Sequence, residues 1–242
     1  LTMGTGESQL AVTLGDMEEE LENNGIKLAY LPSPGSVRIR LTAEGEAVEG
    51  LERAHEAVLE RLSEWVVSKD GLPVEAALGH CLVDQGQTLA VAESCTGGAL
   101  GAALVARPGA SAFFLGGVQA YSNEAKEHLL GVPGALIAEY GAVSEPVAVA
   151  MAKGARAKFG ADYGVSITGI AGPDGGSEHK PVGTVYMACD GPLGVLCVRH
   201  QFGRDRTRNL SMGVRSAAQL ALESAVKWGA ESKPASRVAD SL

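Results

Sequence analysis

A short apolar run at residues 88–98, TLAVAESCTGG, ends in small polar residues and two glycines. The run is typical of a buried strand, and the apolar periodicity that resumes at Leu100 predicts a helix after it, with Ser94, Cys95 and Thr96 offering capping groups. The first N–H groups of a helix lack internal partners and lie at the positive end of its dipole, so this junction could stabilise a developing oxyanion. Ser94 is therefore a candidate nucleophile, although it could equally serve only as a helix cap.

A lysine can supply the base that such a serine needs. Burial lowers a lysine pKa because it disfavours the charged form, and the neutral amine can then accept the serine proton. Lys126 is the candidate, since the segment from Tyr121 to Lys126 follows a predicted strand and opens a helix. From the residues alone, an exposed lysine is the commoner case. The chain has no Gly-x-Ser-x-Gly elbow, Walker A motif or dinucleotide-binding glycine fingerprint, which leaves those enzyme classes without support.

A third polar segment, residues 168–176 with the sequence TGIAGPDGG, is too rich in glycine for regular structure. Glycines let a backbone approach a ligand closely, so the segment could bind phosphate or ribose, and the alternative is a tight surface loop. Asp174 could orient a ribose hydroxyl or stabilise its own turn. Arg204, in a basic cluster with Arg206 and Arg208, could bind one phosphate through its guanidinium or remain solvated.

The composition excludes several function classes. The net charge is −9, with 20 basic and 29 acidic residues, which disfavours binding to nucleic acid. Cysteines occur four times, without a CxxC pair or a metal-ligand spacing, so neither a disulfide framework nor a zinc site is predicted. No apolar run reaches the roughly 18 residues of a membrane span, and no signal peptide is recognisable. We expect a cytoplasmic protein that makes no use of a membrane.

The periodicity divides the chain into two folded parts. Residues 1–70 predict a small unit of one amphipathic helix, two short strands and a second amphipathic helix. Residues 71–230 alternate strands and helices, which is typical of a layered α/β domain, and residues 231–242 are predicted to be a flexible tail. In such domains ligands bind beyond the carboxyl ends of the strands, where we expect the polar segments to lie.

Four blocks occur in order: AESCTGG at 92–98, YSNEAK at 121–126, GAVSEP at 141–146 and SITGIAGPDGG at 166–176. Together they resemble the C-terminal domain of the CinA family, which is similar to the PncC nicotinamide-nucleotide amidases, over about residues 72–228. GTGES at 4–8 and YLPSPG at 30–35 resemble the family's KH-like middle domain. The resemblance implies a three-layer α/β/α amidase domain preceded by an αββα KH-like domain. It also implies a molybdopterin-binding-like domain upstream, whose activity is not carried over.

The resemblance implies hydrolysis of the carboxamide of nicotinamide mononucleotide to nicotinate mononucleotide and ammonia, without a metal or other cofactor. It makes Ser94 the nucleophile and Lys126 the general base, with Tyr121 and Thr168 assisting, and it suggests a homodimer. N–H groups near Thr96 to Gly98 are the expected oxyanion donors. The residues expected to contact substrate are Thr96, Gly97, Gly98, Gly169, Gly172, Asp174, Gly175, Gly176 and Arg204.

Alternative functions remain open at this point. The domain could bind nucleotides without turnover, or it could be an interaction protein linked to the family's association with competence and DNA damage. Cys95 is a weaker candidate nucleophile than Ser94, because as its chain neighbour it is expected to point elsewhere and no histidine accompanies it in sequence. The KH-like part lacks a Gly-x-x-Gly loop, so we do not expect it to bind nucleic acid.

Overall fold

The computed structural model describes residues 1–232. The chain forms two compact units, of which the first is Leu1–Ala77 and the second begins at Leu78. The first unit contains β1 (Thr2–Met3), α1 (Glu7–Asn23), β2 (Ile26–Ser33), β3 (Ser36–Ala43) and α2 (Leu51–Arg61). Its strands form an antiparallel sheet in the order β1-β3-β2, and the apolar faces of α1 and α2 pack on it. The predicted αββα arrangement is confirmed, with β1 as an added edge strand.

The elements that follow alternate between helix and strand. In chain order they are α3 (Val74–Gln85), β4 (Leu89–Glu93), α4 (Ala99–Val105), β5 (Phe114–Gln119), α5 (Asn123–Leu130), α6 (Gly134–Tyr140), α7 (Glu145–Phe159), β6 (Tyr163–Gly169), β7 (Thr184–Gly191), β8 (Gly194–Gln201) and α8 (Arg206–Ser232). The strands form one sheet in the order β5-β4-β6-β7-β8. Strands β5, β4 and β6 are mutually parallel, whereas β7 and β8 add antiparallel neighbours at one side.

Strand β6 shows that helices cover both faces of this sheet. Side chains alternate between the two faces of a strand. The hydroxyl of Ser166 donates a 2.6 Å hydrogen bond to the carbonyl of Ala148 on α7. Its neighbour Ile167 points the other way, where a Cβ added at Gly213 of α8 would lie 4.0 Å from its methyl group. Helices α5 and α6 pack with α7, and α4 packs with α8, which completes the expected three-layer α/β/α fold.

The parallel strands bring the polar segments to one edge of the sheet. Parallel strands all leave a sheet in the same direction, so β4 leads into the turn at Ser94, β5 into residues 120–122 and β6 into the glycine-rich loop. This is the edge at which open α/β sheets bind their ligands. The sequence-based expectation for these segments agrees with the structure.

Helix α8 runs on to Ser232. Residues 233–242, which make up most of the predicted flexible tail, lie outside the described residues. Over residues 1–232, no helix combines the length and the apolar character needed to cross a membrane.

Candidate active site

Ser94 is held in a tight turn at the end of β4. Its N–H donates to the carbonyl of Ile167 at 3.0 Å, which extends the pairing of β4 with β6, and its own carbonyl accepts from the N–H of Gly97 at 3.1 Å. The turn needs glycine because Gly97 and Gly98 have φ angles of 61° and 104°. The serine side chain is therefore fixed at the sheet edge, and only 8% of the residue is exposed.

Lys126 reaches the serine from helix α5. The helix begins after Ser122, whose hydroxyl accepts from the N–H of Ala125 at 3.1 Å and so caps it. Helical side chains tilt toward the N-terminus, which turns the lysine back onto the sheet edge. Its Nζ lies 3.1 Å from Ser94 Oγ, and the residue is 1% exposed. The structure thus brings the two polar segments that contain Ser94 and Lys126 together at one site.

Burial acts against the charged form of the Lys126 amine. Burial lowers its pKa from the ordinary value of 10.5. Neither ion pair found among the described residues involves it. Its Nζ lies 3.0 Å from the carbonyl oxygen of Ala120, 3.2 Å from that of Tyr121 and 3.4 Å from that of Ser122. A neutral amine can donate to two of these oxygens and keep its lone pair for the serine proton.

The two predicted assisting residues occupy different surroundings. Tyr121 is 65% exposed and contributes its backbone carbonyl to the lysine, while its phenol makes no hydrogen bond within the described part of the chain. Thr168 is buried at the end of β6, where its hydroxyl donates to the carbonyl of Ala142 at 2.8 Å. Thr168 therefore ties the sheet edge to the segment that precedes α7.

Sequence reasoning gave no role to Glu93, the residue before the candidate nucleophile Ser94. Its carboxylate is 1% exposed and accepts three N–H groups, those of Gly98 at 3.1 Å, Leu100 at 3.0 Å and Gly101 at 2.8 Å. Glu93 thus caps α4, and the predicted capping by residues 94–96 is wrong because the helix begins only at Ala99. The sequence signal that could have indicated this role is an acidic residue at the end of an apolar run that predicts a buried strand.

The free amide groups of the turn differ from those expected. The N–H of Gly97 is taken by Ser94 and that of Gly98 by Glu93, so these two glycines do not donate to an oxyanion. The carboxylate also neutralises the positive end of α4, so the helix dipole is not the source of anion stabilisation. The N–H groups of Cys95 and Thr96 donate to no backbone oxygen of the described residues. They are the N–H groups of the turn that remain as candidate oxyanion donors.

The side chains of Cys95 and Thr96 do not offer a competing nucleophile. Burial raises the pKa of the Cys95 thiol to about 11, which leaves it protonated at neutral pH. The Thr96 hydroxyl is buried and has no hydrogen-bond partner in the part of the chain that the structure describes. Within that part, no cluster of three or more His, Cys, Asp or Glu side chains could hold a metal ion.

Hydrogen bonds from other segments hold the glycine-rich loop after β6 in place. Arg206, the first residue of α8, donates to the carbonyl of Gly172 at 2.8 Å, and Asn209 donates to that of Ala171 at 2.9 Å. Farther along, Lys180 donates to the carbonyl of Tyr140 at 2.6 Å. The loop therefore runs along the same edge as Ser94, beginning at Gly169, the last residue of β6.

A side-chain hydrogen bond to the loop comes from Arg206, a neighbour of the predicted Arg204 in the same basic cluster. Arg204 and Asp174 are exposed, and the structure gives their side chains no partner among the described residues. Arg206 instead contacts the loop, and its charge acts on Cys95 by lowering the thiol pKa against the larger effect of burial. Gly175 has a φ angle of 89°, and a Cβ at Gly176 would lie 2.6 Å from the backbone nitrogen of Val182. The loop thus needs glycine for its own geometry.

Comparison with known proteins identifies the family to which both parts of the chain are similar. The CinA C-terminal domain family matches residues 72–225, and the KH domain of damage-inducible protein CinA matches residues 1–68. A CinA-like protein of Synechococcus sp. is 48% identical over 85% of this chain and 49% of its own length. One from Salinibacter ruber is 43% identical over 91% of this chain and 54% of its own. The chain spans about half the length of the curated relatives it matches.

Solved structures match the second unit. A CinA superfamily protein from Klebsiella pneumoniae is 35% identical with a TM-score of 0.62, covering 64% of this chain and 97% of that one. The competence/damage inducible protein CihA from Agrobacterium tumefaciens is 38% identical with a TM-score of 0.58, covering 63% and 96%. The chain belongs to the CinA family and contains its KH and C-terminal domains.

Proposed function

We propose that this chain is an amidase that hydrolyses the carboxamide of nicotinamide mononucleotide to nicotinate mononucleotide and ammonia. The observation that carries the proposal is the 3.1 Å separation of Lys126 Nζ and Ser94 Oγ, with the lysine buried and its pKa lowered. A serine activated by a neutral lysine is an arrangement for acyl transfer. The substrate itself comes from the resemblance of the four sequence blocks to nicotinamide-nucleotide amidases.

The first half-reaction transfers the acyl group to the enzyme. Ser94 Oγ attacks the amide carbon while Lys126 Nζ takes the hydroxyl proton. The carbonyl oxygen gains a negative charge, which the N–H groups of Cys95 and Thr96 stabilise. When the tetrahedral intermediate collapses, the C–N bond breaks and the lysine ammonium gives its proton to the leaving nitrogen, which departs as ammonia.

The second half-reaction releases the acid. A water molecule attacks the ester carbon and passes a proton to Lys126 Nζ. The bond from carbon to Ser94 Oγ then breaks, and the lysine returns the proton to the serine oxygen. Both half-reactions use the same base and the same oxyanion donors, and no further protein group has to change its protonation state.

The rest of the substrate needs a site for a ribose and a phosphate. Arg206 is our candidate for the phosphate, because it lies at the start of α8 beside the glycine-rich loop and uses one guanidinium nitrogen for Gly172. Arginine binds phosphate through paired N–H groups, and the remaining donors of Arg206 bond to no group of residues 1–232. The loop backbone from Gly169 onward would then line the ribose.

The test is ammonia release from nicotinamide mononucleotide by the wild-type chain and by Ser94→Ala and Lys126→Ala. Lys153→Ala is the matched control, since Lys153 is an exposed lysine on α7. We expect release from the wild type and the control, and none above background from the two site variants. A rise in melting temperature with the nucleotide but no ammonia would instead support a binding module without turnover.

A further inference from the structure

Glu93 is a buried carboxylate at a point where an apolar side chain would be expected. It is the last residue of β4, all of whose residues are buried, and it is 1% exposed. Neither of the two ion pairs among the described residues includes it. Taking an unpaired carboxylate out of water is costly, and backbone N–H donors are what make it tolerable.

The three N–H groups that Glu93 accepts all lie just beyond the nucleophile. Oε2 accepts from Gly98 and Leu100, and Oε1 accepts from Gly101. The turn between Glu93 and Gly98 is thus closed by the side chain of the residue that precedes Ser94. At the start of the turn, the N–H of Ser94 donates to the carbonyl of Ile167. Hydrogen bonds therefore fix the turn both at Ser94 and at Gly98.

The hydrogen bonds of the turn leave two of its amide groups without a backbone acceptor. Glu93 occupies the N–H groups of Gly98, Leu100 and Gly101, whereas those of Cys95 and Thr96 donate to no backbone oxygen of the described residues. These two amides belong to the turn that Glu93 closes. A shift of the turn would therefore move the serine hydroxyl and both oxyanion donors together.

We propose that Glu93 is a positioning residue for acyl transfer, acting through the turn that carries Ser94 and the N–H groups of Cys95 and Thr96. It touches no reacting atom. This inference rests on the proposed function for its natural substrate, but it concerns the reactivity of Ser94 and can be tested apart from it.

A purely structural cap would look different from a positioning residue in a matched comparison. Asp162 offers the control, because its carboxylate accepts from the N–H and the hydroxyl of Thr88, both at 2.8 Å, at the opposite end of the same strand pair. Asp162→Asn and Glu93→Gln each replace a carboxylate that binds backbone N–H by a neutral amide of nearly the same shape. Only the second lies beside the nucleophile.

The experiment measures two rates on the wild type, Glu93→Gln, Glu93→Asp and Asp162→Asn. The first is kcat and KM for nicotinamide mononucleotide. The second is the rate of phosphonylation of Ser94 by diisopropyl fluorophosphate, followed by intact mass, with Ser94→Ala as the blank. In that reaction Ser94 Oγ forms a bond to phosphorus, the P–F bond breaks, fluoride leaves and Lys126 takes the proton.

We expect Glu93→Gln to lower kcat and the phosphonylation rate by about 100-fold, the loss typical of a misplaced oxyanion donor, with KM changed less than about 3-fold. The pH midpoint of the rate should stay at the wild-type value, because Lys126 is untouched. Glu93→Asp, whose side chain is one methylene shorter, should have rates between those of the wild type and Glu93→Gln. It replaces Glu93→Gln in the comparison if that variant does not fold. Asp162→Asn should keep wild-type rates.

The outcomes separate this inference from the proposed function. If the wild type releases no ammonia but Glu93→Gln is still phosphonylated more slowly than Asp162→Asn, the substrate assignment fails and the positioning role stands. Equal rates in Glu93→Gln and Asp162→Asn overturn the positioning role. A wild-type chain that neither releases ammonia nor reacts with the fluorophosphate also overturns it, because the turn would then present no activated serine.

Discussion

The amine of Lys126 lies 3.1 Å from the hydroxyl of Ser94, although 32 positions of the chain separate the two residues. The contact forms because parallel strands β4 and β5 end at the same edge of the sheet, and because α5 turns its lysine back toward that edge. Three carbonyl oxygens lie within 3.4 Å of the amine. The geometry suits a general base, and it makes the lysine the first residue to test.

Replacing Lys126 by arginine should remove activity while keeping a cation. A guanidinium stays protonated and cannot accept the serine proton, so we expect kcat to fall by about 10²–10⁴-fold, the range for loss of a general base. Lys126→Met, an apolar side chain of similar length, should lose a comparable factor. The measurement is kcat from ammonia release. Activity in Lys126→Arg close to that of the wild type would rule out the lysine as base.

The pH dependence of the reaction should report the lowered pKa of Lys126. Because the proposed mechanism uses the neutral amine, kcat/KM should rise with pH through that pKa and then level off. A pH–rate profile from pH 5 to pH 10 measures this. A rate that does not change over this range would contradict the role of the lysine.

The same shift should make the folded state more stable as the pH rises. Between the lowered folded pKa of Lys126 and its ordinary value of 10.5, the unfolded chain binds a proton that the folded chain does not. The free energy of unfolding therefore increases with pH across that window, and the full penalty remains below the folded pKa. We expect Lys126→Met to flatten this part of the curve. Denaturant midpoints of both proteins at several pH values provide the measurement.

Gly98→Ala should disturb the turn that carries Ser94 in two ways. The φ angle of 104° is strained for alanine, and the new Cβ would lie 2.4 Å from Nε2 of Gln119. We expect a loss of about 1–3 kcal/mol in the free energy of unfolding and a lower kcat. Adding Gln119→Ala should restore only the part due to the clash. Gly97→Ala, with a φ angle of 61° and no atom within 4 Å of the new Cβ, is the control that carries strain alone.

Thr168→Val tests whether this hydroxyl acts in catalysis or only in structure. Valine keeps the shape but leaves the carbonyl of Ala142 without the 2.8 Å hydrogen bond, so we expect a loss of about 1–3 kcal/mol in stability. Thr168→Ser keeps the hydroxyl donor and should retain most of the stability that Thr168→Val loses. If the hydroxyl also assists the reaction, kcat in Thr168→Val will fall at temperatures where the variant is fully folded.

Arg206→Ala should weaken substrate binding, whereas Arg204→Ala should not. If Arg206 binds the phosphate, its loss removes charge-assisted hydrogen bonds worth about 1.5–3 kcal/mol, which corresponds to a rise in KM of about 10–100-fold. Arg204 is exposed and serves as the matched control. With nicotinamide riboside, which lacks the phosphate, the two variants should behave alike. An equal KM for the nucleotide in both would exclude Arg206 from the site.

The local pattern of the chain was sufficient to predict most of the elements. Helix α5 begins at Asn123, within the segment from Tyr121 to Lys126 that predicts a helix start, because this signal lies within one segment. The alternation of strands and helices likewise predicts the layered fold, and the four blocks indicate the family.

The sequence by itself determined the elements, the family and the two residues, Ser94 and Lys126, that could react together. Only the tertiary structure decided that Lys126 is buried against three carbonyls, that Glu93 takes the N–H of Gly98 that was expected for an oxyanion, and that Arg206 donates to the glycine-rich loop. The reason is physical. A hydrogen bond or a pKa shift depends on which groups of distant segments approach within about 3 Å, and spacing along the chain does not encode that distance.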